Sequence, residues 1–232
     1  CGHGLSNISM PLLLKSGYNS IEHLTGYAEN LKKGEAYVEN LIKLTAKNKV
    51  YNCATEDYFE LGYNMQSVSD LKKRNGLQYI ADTTIAKWDK EINEDQAKIG
   101  EVKLKEQRDY YTQIRATKNK ILIQLVKKGA PLLIGPDAGG AYAVPGFAIQ
   151  EEMKHHAHAG LSNYQVLCAA TINAATYMNQ LKKWGTVEVN KDANLILLNA
   201  NPLLDLNNLN SVEGVFLNSE YKTVKELEAG LK

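Results

Sequence analysis

The sequence predicts an α/β fold in which parallel strands alternate with helices, followed by a small separate β unit. Three observations carry this. Short apolar runs at residues 18–23, 50–55 and 132–134 are separated by stretches whose apolar residues recur at helical spacing. The last of these runs leads to an acid, Asp137, and then turns through Gly139 and Gly140, which is how a buried strand delivers one carboxylate to the rim of a sheet. Beyond Gly185 the helical period gives way to short apolar runs.

Composition sets the limits. The chain has 232 residues, 44% of them hydrophobic, enough to fill one large domain or one and a half ordinary ones. Lys+Arg 27 against Asp+Glu 26 leaves a formal charge of +1, so no global field draws in nucleic acid or an anionic membrane, and no nucleic-acid motif appears. A small-molecule substrate is the expected partner, with neither nucleic acid nor membrane, and a homo-oligomer is left open. Cys1, Cys53 and Cys168 are too few and too scattered for a disulfide framework and form no CxxC pair. No apolar run approaches the roughly 20 residues of a membrane span, and there is no signal peptide. The chain opens at Cys1-Gly-His-Gly4 without an initiator Met, which marks it as a fragment and leaves localisation unknown.

Taken in order, Ile8, Leu12, Leu13 and Leu14 give a short helix with Pro11 tolerated in its first turn and Gly17 as its stop. Residues 18–23 form a strand ending at His23, so His3 and His23 end two successive strands joined by one helix. Residues 34–47 are helical, with Ala36, Val38, Leu41, Ile42 and Leu44 facing inward, and feed a strand at 50–55. Residues 56–99 read as a polar excursion over the rim, with weak helical patches at 69–79 and 85–92. A charged helix spans 101–128, with Leu122, Leu125 and Val126 as its inward stripe. After the Asp137 strand come a loop through Pro145-Gly146, a helix at 147–159, and a capping box, Ser162-Asn-Tyr-Gln165, opening a helix through Met178. Strands are expected at 186–189, 194–198 and 215–217, then a short helix at 223–231. Three strands are too few to close on themselves.

Histidine is a common metal ligand, and an aspartate at a neighbouring strand end supplies a hard oxygen as well as a base. His3, His23 and Asp137 meet on one rim if their strands are successive staves of a parallel sheet; otherwise Asp137 is an ordinary turn residue. His155-His-Ala-His158 imitates a His-x-His pair. On a helix, however, i and i+2 side chains point about 200° apart and cannot share an ion, although His155 and His158 could, and a solvated helix face is the expectation. Glu22 beside His23 reads as a strand-end partner, and Tyr27, Tyr58 and Tyr63 are candidate pocket residues.

Ser20-Ile-Glu-His-Leu24, Gly135-Pro-Asp-Ala-Gly139, Val144-Pro-Gly-Phe147, Ala170-Thr-Ile-Asn-Ala174, Gly185-Thr-Val-Glu-Val-Asn-Lys-Asp-Ala-Asn-Leu195 and Asn201-Pro-Leu203 stand in an order and spacing that resembles the C-terminal half of the amidohydrolase superfamily, closest to its imidazolonepropionase-like and prolidase-like members. The resemblance covers His3 to about Tyr27 and residues 121–215, and hardly touches 56–100. It implies the C-terminal half of a metal-dependent (β/α)8 TIM barrel over residues 1–181, with an insertion at about 56–100, and part of a small β-sandwich over 182–232. It further implies that His3, His23 and Asp137 hold one or two divalent ions, usually zinc. Asp137 is then also the catalytic group that takes the proton from the attacking water and passes it to the leaving nitrogen. Tyr27 and Thr55 are the candidate substrate-binding residues.

This sequence departs from the family pattern at several points. The first-strand His-x-His pair and the strand-four lysine are absent, Pro136 stands where Thr or Ser is usual, Ala54-Thr55 where Pro-Thr is usual, and Asn190 and Asn194 replace a common Gly and Asp. The function so implied is hydrolysis of an amide, cyclic amide or dipeptide-like C–N bond by a metal-activated water, with this fragment alone inactive. Two alternatives remain open, a non-catalytic binding or scaffold remnant and a lactonase or esterase using the same metal water. The isolated chain is expected to expose apolar surface and to associate.

Overall fold

The computed structural model describes residues 1–4 and 7–230. It divides into two compact units, Cys1–Gly160 and Leu161–Lys232.

The first unit is built on a parallel three-stranded sheet in the order β1 (Ser20–Glu22), β2 (Tyr51–Cys53), β3 (Leu132–Leu133). Glu22 lies opposite Cys53, and Cys53 opposite Leu133. Gly2 adds an isolated parallel bridge to Ile21, donating its N–H to the Ser20 carbonyl at 3.2 Å and accepting from the Glu22 N–H at 3.0 Å. All four segments therefore finish on the same edge, the one where parallel sheets present their ligand-binding residues.

The connecting helices follow the sequence pattern closely. α1 (Met10–Lys15) has Pro11 in its first turn, where a missing N–H costs nothing. α2 (Glu35–Lys47), preceded by a 3-10 helix at Ala28–Lys33, buries Val38, Leu41, Ile42 and Thr45 along one face. The stretch after β2 is far more helical than its composition suggests. It forms α3 (Glu56–Gly62), α4 (Val68–Leu71), a 3-10 turn at Leu77–Tyr79 and α5 (Asp82–Ile99). α6 (Glu101–Lys127) buries Leu104, Tyr111, Lys118 and Leu125, four positions seven residues apart, together with Ile121 and Leu122. Val126, expected in the same stripe, is only half-buried. Beyond β3, the loop carrying Tyr142 and Val144 joins Leu71 and Leu77 in an apolar cluster packed by Leu61, Ile85, Trp88 and Ile92, and α7 (Ala148–His158) follows.

In the second unit, the capping box of Ser162 and Gln165 opens α8 (Asn163–Ala170) as predicted. The expected single helix breaks at Thr171, whose hydroxyl bonds back to the Leu167 carbonyl at 2.7 Å, and resumes as α9 (Ile172–Tyr177). An antiparallel sheet follows, ordered β4 (Leu195–Leu198), β5 (Val212–Leu217), β6 (Glu220–Thr223), and then α10 (Val224–Ala229). The end of the predicted last helix, Leu231, lies outside the described residues. The strand expected at 186–189 is corrected. Those residues are irregular, a bend at Thr186 and a turn from Val189, and Val187 and Val189 are 82% and 89% exposed, with neither a strand partner among the described residues nor a core to fill. Among the described residues no helix is long and apolar enough to cross a membrane.

Candidate functional site

The carboxyl edge of the parallel sheet collects the predicted site residues. His3 follows the Gly2 bridge, His23 follows β1, Thr55 lies two residues beyond β2, and Asp137 lies four beyond β3. Three of these four take left-handed backbone conformations, with φ of 61° at His23, 57° at Thr55 and 52° at Asp137. For side-chain-bearing residues such backbone costs about 1–3 kcal/mol each and tends to collect at functional sites. Gly135 is required by close approach rather than by φ, since a Cβ there would lie 2.7 Å from the Cys53 sulfur on the neighbouring strand.

His3 and His23 meet, their ring centroids 4.8 Å apart at 65°. On its other side His23 faces α3, 5.5 Å from the Phe59 ring and 6.4 Å from that of Tyr58. Its Nδ1 is buried without a hydrogen-bond partner. Burial pulls the His23 pKa down, His3 and Lys118 add to that, and Asp137 and Glu22 oppose it. A neutral imidazole with an unused nitrogen beside a second imidazole is the donor chemistry a divalent ion takes. Asp137 stands exposed on the same edge. Among the described residues, however, no group of three or more His, Cys, Asp or Glu side chains is drawn together tightly enough to hold an ion. His3 and His23 thus lie side by side, whereas the full triad is not assembled.

Glu22 accepts from the Ser20 hydroxyl at 2.6 Å, as a strand-end partner should. The Cys53 thiol is pushed up to about 12, first by burial and then by nearby carboxylates, which keeps it protonated at neutral pH.

Both substrate-binding candidates are buried in this chain. Tyr27 is fully enclosed, its hydroxyl bonded to Thr45 Oγ1 at 2.8 Å and Asn52 Oδ1 at 2.9 Å, and burial raises its pKa. Its ring belongs to the buried core. Thr55 is 2% exposed, with its hydroxyl directed at the Cys53 sulfur, 3.9 Å away.

Behind the rim lies a buried ionic network that no sequence pattern announces. Asp57 is completely buried and accepts two bonds from Arg74 Nη2, at 2.8 and 2.6 Å, while its N–H donates to Glu152 Oε2 at 2.8 Å. Lys118 pairs with Glu56 at 2.5 Å, lies 4.2 Å from the Phe59 ring centre and donates to the Ala54 carbonyl at 3.2 Å. Tyr111 donates to Glu56 at 2.8 Å. His155 Nε2 sits 3.8 Å from Asp57 and 3.7 Å from Glu60, charge contacts too long for hydrogen bonds. The expected solvated histidine face is thus corrected: His156 is fully buried, its Nδ1 2.9 Å from the Glu152 carbonyl, and only His158 of the three is exposed. The network fixes α3, and α3 holds Tyr58 and Phe59 against His23.

Comparison with known proteins gives these features a family. Among solved structures, the chain resembles a bottromycin amidohydrolase at a TM-score of 0.69 with 20% identity, covering 98% of this chain and 50% of that one. A Xaa-Pro dipeptidase with methionine in its active site matches at 0.58 with 19% identity, over 92% of this chain and 42% of that one. A putative prolidase from Bifidobacterium longum matches at 0.58 with 20% identity, over 98% and 49%. The chain spans about half the length of these structures. No curated protein matches it. The model of the amidohydrolase family matches residues 80–222, more than half of the 232, including Asp137. This chain belongs to the amidohydrolase family.

Proposed function

We propose that this chain contributes part of the active site of a metal-dependent hydrolase acting on amide, cyclic amide or dipeptide-like C–N bonds. The carrying observation is the unpartnered, buried Nδ1 of His23 beside His3, on the edge that also bears Asp137. Family membership and the amidohydrolase, dipeptidase and prolidase among the similar structures support the C–N bond class. In this reading the first 181 residues are the C-terminal half of a (β/α)8 barrel and residues 182–232 part of a small β-sandwich.

His3, His23 and Asp137 are the residues that would hold a divalent ion, zinc by family habit, and when bound it supplies Lewis-acid activation of water and of the carbonyl under attack. The two imidazoles bind and orient. Asp137, exposed at the rim, takes a proton from the attacking water at its carboxylate and returns it to the leaving nitrogen. Phe59 and Tyr58 cover one side of His23 and keep bulk water from it.

Zinc titration of the chain by calorimetry, with His23→Ala as the control, should show binding that the variant loses. In a full-length protein carrying this segment, Asp137→Asn should lower turnover by about 10²–10⁴-fold. Turnover unaffected by that change removes Asp137 from the chemistry, and absence of zinc binding to the unsubstituted chain favours a non-catalytic role.

A further inference from the structure

A small cavity adjoins the proposed site. It has a volume of about 200 Å³ and is walled by Tyr58 and Leu61 of α3, Leu71 of α4, Ile92 of α5, and Gly140 and Ala141 of the loop that follows Asp137. That volume holds roughly six or seven waters at about 30 Å³ each, and it falls below the about 300–1,000 Å³ of a pocket that takes a whole small molecule. It is the size of one substituent. Two amides at its margin are engaged within the protein, Gln66 donating to Glu60 at 2.6 Å and Asn64 accepting from Gln96 at 3.2 Å.

Two of its walls reach the proposed site. Tyr58 lines the cavity and its ring centre lies 6.4 Å from that of His23, and Gly140 and Ala141 sit three and four residues beyond Asp137. The cavity is thus tied to His23 through Tyr58 and to Asp137 through the loop that follows it. The floor is firm, because Leu71 is buried and Leu61 and Ile92 pack in the cluster around Leu77 and Tyr142.

We infer that this cavity is a specificity pocket for a compact apolar side group next to the bond being cleaved, built by the helical segment between β2 and α6. The substrate class it selects is an amide or dipeptide-like compound with an aliphatic side chain, in preference to glycine-like or charged analogues. This rests on the hydrolytic reading for the position of the scissile bond, but the pocket's preference is measurable without turnover. Each methylene moved from water into such a pocket changes affinity by about fourfold.

The test is calorimetric binding of N-acetylglycine, N-acetylalanine and N-acetylleucine to the full chain and to two variants. Unsubstituted protein should bind the leucine compound at least tenfold more tightly than the glycine one. Gly140→Leu should flatten the series. A Cβ at Gly140 meets no atom within 4 Å, and its φ lies outside the left-handed region, so the added side chain fills space without displacing the fold, as circular dichroism will verify. Ile92→Ala should widen the pocket and move the preference towards N-acetylphenylalanine. Equal affinities across the series, no binding of any member, or an unchanged preference in a folded Gly140→Leu protein would each overturn the pocket. The outcomes separate the two readings. If the side-chain preference holds while Asp137→Asn leaves turnover intact, the hydrolytic reading fails and the pocket stands. A flat series with turnover lost in Asp137→Asn removes the pocket and leaves the hydrolytic reading in place.

Discussion

Asp57 is the residue whose removal should be felt most. Its carboxylate is fully buried and takes both bonds that Arg74 Nη2 donates, and the Arg74 side chain is itself only 6% exposed. Removing one partner of a buried, hydrogen-bonded ion pair leaves the other charged and unsolvated, at a cost of about 3–5 kcal/mol. Asp57→Ala should therefore lower the urea midpoint of the first unit by that order, and Asp57→Asn by less, because an amide oxygen still accepts from Arg74. An Asp57→Ala midpoint equal to that of the unsubstituted chain contradicts the pairing. At this scale the strand-end residues were legible and the buried polar ones were not. His23 and Asp137 are announced by what precedes them, a short apolar run that stops. His155 is announced by nothing nearby, since its partners Asp57 and Glu60 lie almost a hundred residues earlier, and His156, whose partner Glu152 is one turn away, sits on a helix face that reads the same whether it meets water or the protein interior. The same blindness hid Tyr27, whose apolar ring and single hydroxyl suit a pocket or a core equally well until Thr45 and Asn52 are seen to satisfy it.

Among the elements, the β5–β6 hairpin shows how sequence reading loses a strand. Leu217 pairs with Glu220 across a two-residue turn in which Asn218 and Ser219 have φ of 50° and 69°, the doubly left-handed turn that matches strand twist. Asn-Ser signals that turn more weakly than Asn-Gly, and β6 itself, Glu220-Tyr-Lys-Thr223, carries one apolar residue, so the pattern had nothing to register. The hairpin depends on Gly214, where a Cβ would lie 2.6 Å from the Tyr221 hydroxyl and 2.7 Å from the Lys222 carbonyl. Gly214→Val is expected to destabilise the second unit by about 1–3 kcal/mol, the usual cost of overpacking. Tyr221→Ala in the same chain should recover only part of the loss, because the backbone carbonyl remains. Full recovery in a denaturant melt would assign the crowding to the tyrosine alone. Helices α2 and α6 were legible for the opposite reason, unlike α5, of which only a weak patch at 85–92 showed. α2 and α6 place buried residues at regular intervals, and in α6 the interval of seven persists from Leu104 to Leu125 even though two of its members, Tyr111 and Lys118, are polar or charged.

For the molecule as a whole, the parallel order β1-β2-β3 follows from strands joined through helices, and it was legible because each crossover carries its own helical period. What the order cannot convey is how α3, α6 and α7 are tied behind it, and that tie carries a pH signature. Burial pulls His155 down, but the Asp57, Glu60 and Glu152 carboxylates outweigh it and raise its pKa above the ordinary 6.5. A raised histidine contributes stability fully below 6.5 and loses it as pH rises through the higher folded value. Glu152, raised by burial in spite of His156, the Asp57 N–H and His155, acts in the same direction from its ordinary 4.5 upward. Asp57 runs the other way. Burial pushes its carboxyl up, yet His155 and Arg74 prevail and hold it below the ordinary 3.8, so its contribution is present above that value and is lost only as pH falls through the lower folded one. Within this network Glu152 therefore weakens the first unit as pH rises from about 4.5, His155 as it rises past 6.5 and Asp57 as it falls below about 3.8, while the lowered His23 opposes Glu152 below 6.5. Thermal melts of the chain between pH 3 and 9, followed by the tyrosine-rich near-ultraviolet signal, check this. In His155→Gln the decline above 6.5 should flatten while the acid limb persists, because Arg74 still holds Asp57. A variant whose alkaline decline matches that of the unsubstituted chain would remove His155 from the account.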